Sequence, residues 1–156
     1  MYRKVEDFIE DWGVSSTGAL NAIKAITNDK LDQAIVEGHN TLGWLAWHLS
    51  VVGGAIGHLA GLQIPAPRHD QAVPTDIAEI IAAYEAVLEG FKTEAVELTD
   101  EALLEEVNGF GGPILRGKLL RNLISHQIHH VGQMTVLLRQ AGLTVPPVMG
   151  PTKEMR

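Results

Sequence analysis

Apolar residues recur with a helical period in four long stretches of the chain. The first covers about Tyr2 to Ile26, with Val5, Phe8, Ile9, Trp12, Leu20, Ile23 and Ile26 on one face and a weak centre from Gly13 to Gly18. Thr27-Asn28-Asp29-Lys30 reads as a turn or the cap of a short helix, and Glu37-Gly38-His39-Asn40 ends that connection. Asn40 or Thr41 then caps a second helix that runs to about Leu62. Pro65, Pro67 and Pro74 make Gln63 to Pro74 a long loop, of the kind that crosses between ends of a bundle. Thr75 is the expected cap of the third helix, whose inner stripe is Ile77, Ile80, Ile81, Tyr84, Val87, Leu88, Phe91, Ala95 and Leu98. Thr99-Asp100-Glu101-Ala102 caps a further short helix, stopped by Asn108-Gly109-Phe110-Gly111-Gly112-Pro113. The fourth long helix spans about Leu115 to Ala141; Gly142 ends it, and Pro146, Pro147 and Pro151 keep the tail extended. No stretch alternates with period two over a useful length. The prediction is one all-α domain over residues 1–156, a four-helix bundle with short extra helices in its connections.

Composition narrows the function classes. Hydrophobic residues make up 46% of the 156 and charged ones 20%, as in a soluble globular domain. Nineteen acidic against 12 basic residues give a net charge of −7, with no basic cluster, which argues against a nucleic-acid surface. The absence of cysteine removes disulfides, thiolate metal sites and an intrinsic thiol nucleophile, and fits a reducing compartment. Met1 to Asp7 lacks the apolar run of a secretion signal, so a cytoplasmic protein is expected. Thr41 to Leu62 carries no formal charge and approaches the length of a bilayer span. Its His48, Ser50, His58 and five glycines favour a helix buried on two sides instead, with no membrane partner.

The candidate chemistry lies in the histidines. His126 and His130 are four residues apart within the apolar fourth helix, so their side chains leave one face about 40° apart and can grip a metal between them. Seven histidines produce such a pair by chance in roughly a quarter of chains this long. Two core imidazoles satisfied by Asn122, Gln133 or backbone carbonyls are the alternative to a metal. His48 adds weight to the metal. It shares a side of the second helix with Thr41, Trp44, Leu45, Val51, Val52, Ala55, Leu59 and Leu62, and is expected to point into the bundle. Three nitrogen ligands would leave positions open for water or substrate. Of the others, His39 and His69 read as loop residues, His58 as pocket wall or surface, and His129 lacks a partner at a spacing of four.

Opposite His48 lie Gly43, Ala46, Ser50, Gly53, Gly54, Gly57, Ala60 and Gly61. Glycine inside a helix costs about 1 kcal/mol relative to alanine, so the run needs an offset such as close backbone approach. The fourth helix also carries Ile124, Ile128 and Val131 behind its histidines. These back faces of helices two and four are the expected homodimer interface; the alternative is that loops or termini of the same chain cover them.

Asn40-Thr41-Leu42-Gly43-Trp44-Leu45-Ala46-Trp47-His48-Leu49 and Leu123-Ile124-Ser125-His126-Gln127-Ile128-His129-His130-Val131-Gly132-Gln133-Met134 resemble the DinB/YfiT-like superfamily, as do Leu138 to Gly142 and the closing Val145-Pro146 and Gly150-Pro151. The resemblance covers the chain in order and spacing. It implies an up-down-down-up bundle, metal ligands at His48, His126 and His130, nickel or zinc as the ion, and frequent homodimers. Active members of that superfamily use low-molecular-weight thiols in transfer or isomerisation reactions. Val131 and Gln127 depart from the arginine and glutamate common among relatives. The resulting expectation is a metal-dependent enzyme of S-transferase or hydrolase type, in which the ion lowers the pKa of a water or thiol. Asn122 and Gln133 are candidates to orient ligands from outside the trio. A small-molecule substrate is the expected partner; a non-catalytic metal- or ligand-binding dimer, a sensor or a store, is the rival.

Overall fold

The path of the chain follows the apolar periodicity closely. A computed structural model describes residues 1–155, with long helices α1 (Val5–Lys24), α2 (Leu42–Leu59), α3 (Ile77–Glu94) and α4 (Arg116–Gln140). Each helix packs against two others, in the ring α1–α3–α2–α4. Contacts fix the directions. Trp12 Nε1 donates to the Leu88 carbonyl and Phe8 packs edge-on against Phe91, so α1 and α3 run antiparallel. Gly53 faces Val87 and Gly57 faces Phe91, so α2 and α3 run parallel. The Tyr2 amide donates to the Gly117 carbonyl and Gln127 reaches Ser15, so α1 and α4 run parallel. This is the up-down-down-up bundle. Because α2 and α3 are parallel, residues 60–76 must return along about 27 Å of helix, which explains the length of the Pro-rich loop.

The core divides into two apolar clusters, one at each end of the bundle. One gathers Ile23, Leu42, Leu45, Ile80, Met134 and Leu138; the other gathers Phe8, Trp12, Ile64, Phe91, Leu103 and Leu120. Polar side chains occupy the waist between them. The buried Tyr84 hydroxyl donates to Gln127 Oε1 at 2.6 Å, and the Gln127 amide donates to Ser15 Oγ at 2.7 Å. Burial pushes the Tyr84 phenol far above its ordinary pKa, so it remains a neutral donor.

Three features differ from the sequence expectation. Asp76, not Thr75, caps α3: its carboxylate accepts from the Ala78 amide at 3.0 Å, and Asn28 Oδ1 accepts from the Ile77 amide at 2.7 Å. The short helix after Thr99 is a single 3-10 turn, Ala102–Leu104, and the expected helix stop is a hairpin of β1 (Glu106–Gly109) and β2 (Gly112–Leu115). Val107 pairs with Ile114 and Gly109 with Gly112, around a tip at Phe110 and Gly111. Four-residue strands are too short for a period-two signal to register, so the two-stranded element adds to a mainly α fold.

The third difference concerns the glycine stripe of α2, which is packed inside the protomer. A methyl group at Gly54 would run into the Ala66 side chain of the Pro-rich loop, and one at Gly57 would meet Ile64. The buried side of α2 is therefore its small side, with Ala46, Ser50, Gly53, Gly54 and Gly57 inward. Small residues let α3 and the loop approach the α2 backbone, and the dispersion gained offsets the helix penalty of glycine. On α4, Ile124 and Val131 are likewise buried, while Ile128 stays 40% exposed. Gly54→Ala should destabilise the fold by about 1–2 kcal/mol, because overpacking against Ala66 outweighs the gain of about 1 kcal/mol in helix propensity. Urea unfolding checks this; an unchanged or higher midpoint would mean that the loop does not seat on α2.

Candidate metal centre

Thr41 starts α2 by accepting the Trp44 amide on its hydroxyl at 3.1 Å, which sets His48 about two turns into the helix. Trp44 is one turn before His48 and stacks on its imidazole, ring centres 4.5 Å apart and planes within 15°. The indole also lies edge-on to His130, with ring centres 6.5 Å apart. Trp44 thus restricts the ring of His48. The signal for this was legible as an aromatic residue four positions ahead of a histidine on a helix.

The seam between α2 and α4 brings His48, His126 and His130 together. His48 Nε2 and His130 Nε2 each lie 3.1 Å from His126 Nε2. All three rings are half-buried, with one nitrogen of each within 4.8 Å of the others. A shared ion at about 2.05 Å from two nitrogens separates them by about 2.9 Å at right angles and about 3.3 Å at tetrahedral angles. The observed 3.1 Å falls between these values.

Hydrogen bonding among the three rings alone is incomplete. His130 Nδ1 lies 2.9 Å from Gln133 Oε1, a pure acceptor, so that nitrogen carries the proton and His130 Nε2 presents a lone pair. His126 Nε2 holds either one proton or one lone pair, yet it faces two imidazole nitrogens. At most one of the two contacts is a good hydrogen bond. A cation satisfies all three lone pairs at once, so the donor set fits a borderline divalent metal. Burial first, and then the neighbouring His130, His48 and His129, push His126 down to a pKa of about 4. Burial and His130 lower His48 as well. Near pH 7 the His126 imidazole is already neutral, and ligation there requires no proton release from it.

The remaining residues named from the sequence fall into place around this centre. Gln133 is exposed on α4; besides holding His130 it lies 3.2 Å from His129 Nε2 through its amide nitrogen. His129 is exposed and 5.0 Å from His130 ring to ring, outside the trio. Asn122, one turn before His126, lines a cavity beside the hairpin and forms no side-chain hydrogen bond with the trio among the described residues. His39, His58 and His69 are exposed. Gln127 points to Tyr84, away from the metal candidates, and Val131 is buried in the apolar core. Among the described residues no carboxylate is hydrogen-bonded to the trio, and no helix is long and apolar enough to cross a membrane.

Truncating the outer support has a measurable consequence. Gln133→Leu should weaken metal binding by roughly 10- to 100-fold, through loss of the bond that fixes the His130 tautomer. Competition with a chromogenic chelator checks this, and unchanged affinity would remove Gln133 from the site.

Comparison with known proteins places the chain in a family. The DinB family matches the chain over residues 1–156. The Bacillus subtilis (strain 168) protein named "Uncharacterized protein YrdA" is 37% identical over 155 residues, covering 99% of this chain and 93% of that protein. The crystal structure of a DinB-like protein from Bacillus cereus ATCC 10987 superposes with a TM-score of 0.85 at 38% identity, covering 95% of this chain and 99% of that one. A second DinB-like protein, YjoA from Bacillus subtilis, has a TM-score of 0.73 at 18% identity over 93% of this chain and 99% of its own, a likeness of fold.

Proposed function

This chain belongs to the DinB family, and we propose that it is a divalent-metal protein in which His48, His126 and His130 hold the ion on one side. The observation that carries the reading is the meeting of three Nε2 atoms, two pairs at 3.1 Å, where hydrogen bonds satisfy only part of the set. A divalent cation supplies Lewis acidity there, lowering the pKa of a water or thiol that ligates it. The chain's own residues prepare the site. Trp44 shields one flank and orients His48, and Gln133 fixes the His130 tautomer. Nickel or zinc is the proposed ion, since imidazole suits both.

The proposed activity is that of a thiol-dependent transferase or a hydrolase acting on a small molecule. The lack of a carboxylate bonded to the trio favours the thiol branch, because a thiol needs a smaller pKa shift than water to supply its anion at neutral pH. A chain without cysteine takes that thiol from a low-molecular-weight cofactor or substrate. The same lack of a general base is the observation favouring the rival, a non-catalytic metal sensor or store. Elemental analysis and calorimetric titration of untagged protein with zinc and nickel test the core of the proposal. One ion per chain is expected, and no stoichiometric uptake of either overturns it. Thiol-plus-electrophile turnover by the loaded protein separates enzyme from store.

A homodimer remains part of the proposal, on a changed surface. With the glycine stripe of α2 occupied from within, the proposed surface is an apolar groove of about 460 Å³ between α1 and α4. Val14, Ile128 and Met149 are exposed there, beside Asp11 and Arg121. Opposite charges on one face pair with their copies across a two-fold axis, so the proposed occupant is a second copy of this chain. Sedimentation should show a dimer at micromolar concentration that Ile128→Asp dissociates; a monomeric wild type overturns it.

A further inference from the structure

The histidine trio lies midway along the seam of α2 and α4, with a cavity at each end, and the two cavities differ in chemistry. Toward the end of α4 the cavity is lined by Ile35, Leu45, Val136 and Leu137, together with His39, Asn40 and Gln133, and contains no Lys or Arg. Toward the start of α4 a cavity of about 290 Å³ is lined by Ile56, Phe110, Ile114, Lys118, Leu119 and Asn122, with the glycine-rich hairpin tip. Asn122 is one helical turn from His126, about 6 Å along the axis, and Lys118 is two turns away, about 12 Å.

Lys118 has no carboxylate partner among the described residues. Lys4, Lys24, Lys30 and Lys92 each hold a carboxylate within ion-pair distance. Lys118 and Lys153 do not, among the described residues, and Lys153 is in the C-terminal turn, outside this cavity. In a chain of net charge −7, acidic partners are plentiful, so an unpaired ammonium at a cavity mouth is free for an external anion. The Asn122 amide adds an N–H donor on the metal-facing side of Lys118. Phe110, 73% exposed at the hairpin tip, offers an apolar wall for whatever links the anion to the reacting end.

We propose that this cavity is the subsite for the anionic end of the substrate, a carboxylate held by Lys118 and Asn122 while the other end reaches the histidine trio. A single ammonium with one amide suits a monoanionic carboxylate; a phosphate would draw on more cations than the cavity provides. The span between the two ends selects elongated molecules with an apolar middle several bonds long. This inference rests on the proposed metal centre and specifies the substrate class that the centre takes.

Cobalt-loaded protein provides the test, because thiolate ligation to cobalt produces a near-ultraviolet charge-transfer band independent of turnover. Mercaptohexanoate and mercaptohexanol serve as probes of equal length that differ in the terminal charge. The acid should bind roughly tenfold more tightly than the alcohol in the wild type, as expected of a partly exposed charge-assisted hydrogen bond. Lys118→Gln should abolish that preference, chiefly by weakening the acid, and Asn122→Ala should reduce it in part. Lys118 is exposed, so the substitution leaves the fold intact. Equal binding of the two probes by the wild type, or an undiminished preference in Lys118→Gln, overturns the proposal. Failure of cobalt to bind overturns the metal centre itself and this subsite with it; cobalt uptake without a thiolate band from either probe overturns the thiol reading and this subsite while the metal centre stands.

Discussion

A His126→Ala variant should lose at least about a hundredfold in affinity for zinc or nickel while keeping its helical circular dichroism. The magnitude follows from sharing roughly 10–16 kcal/mol of site energy among three ligands, which puts about 3–5 kcal/mol on one imidazole. His126 is the centre of the trio, its Nε2 lying 3.1 Å from Nε2 of both other rings, so its removal leaves two nitrogens without the one they share. The ring is half-buried and lowered to a pKa of about 4, largely by burial, so it contributes little to folding as a charge. Its loss therefore separates binding from stability. His129→Ala is the control: the ring lies outside the trio, and its substitution should change affinity by less than about tenfold. Isothermal titration of both variants checks this, and equal losses at His126 and His129 would place the ion elsewhere.

The second large effect is expected at Gln127, which belongs to the polar waist and not to the metal candidates. Gln127→Leu leaves the Tyr84 hydroxyl, 0% exposed, with no acceptor and removes the donor to Ser15. An orphaned buried hydroxyl costs about 1–3 kcal/mol, and with the second lost bond the total is about 2–4 kcal/mol. For a chain of this length that lowers the melting temperature by roughly 5–12 °C. Adding Tyr84→Phe should recover part of the loss, because the orphaned hydroxyl is then gone. Metal affinity of the single variant should stay within a few-fold of wild type. A drop smaller than about 0.5 kcal/mol would mean that the chain of three side chains is not a tie between α1, α3 and α4.

The role of Gln127 follows from this placement. Read along the sequence, Gln127 lies next to His126 and invites a role at the metal. In the fold it turns about 100° away, between α1 and α3, where it reconciles a phenol and a serine across the bundle. Gln133, seven residues after His126, lies on the side of the histidine trio and contacts His130. Position relative to the helical wheel separated these two roles; proximity in sequence did not.

The sequence by itself determined the four helices, the loop that joins two parallel ones, and the shared face of His126 and His130. These are local properties: period, caps, prolines and a spacing of four act within a turn or two of the residue concerned. The same locality explains what it missed. Strands of four residues in β1 and β2 are held by each other across a turn, so neither carries a pattern of its own. For α2 both sides are apolar, and side-chain hydrophobicity ranked the His48 side as the inner one. Tertiary structure reversed that order, because what decides burial there is how closely a neighbouring backbone can approach. Ala66 and Ile64 fit against Gly54 and Gly57 only where no side chain projects. That packing turns His48 onto the α2–α4 seam, where it meets His126 from 78 residues away. Spacing could place two imidazoles on one helix; only the packing of α2 against its neighbours could bring the third.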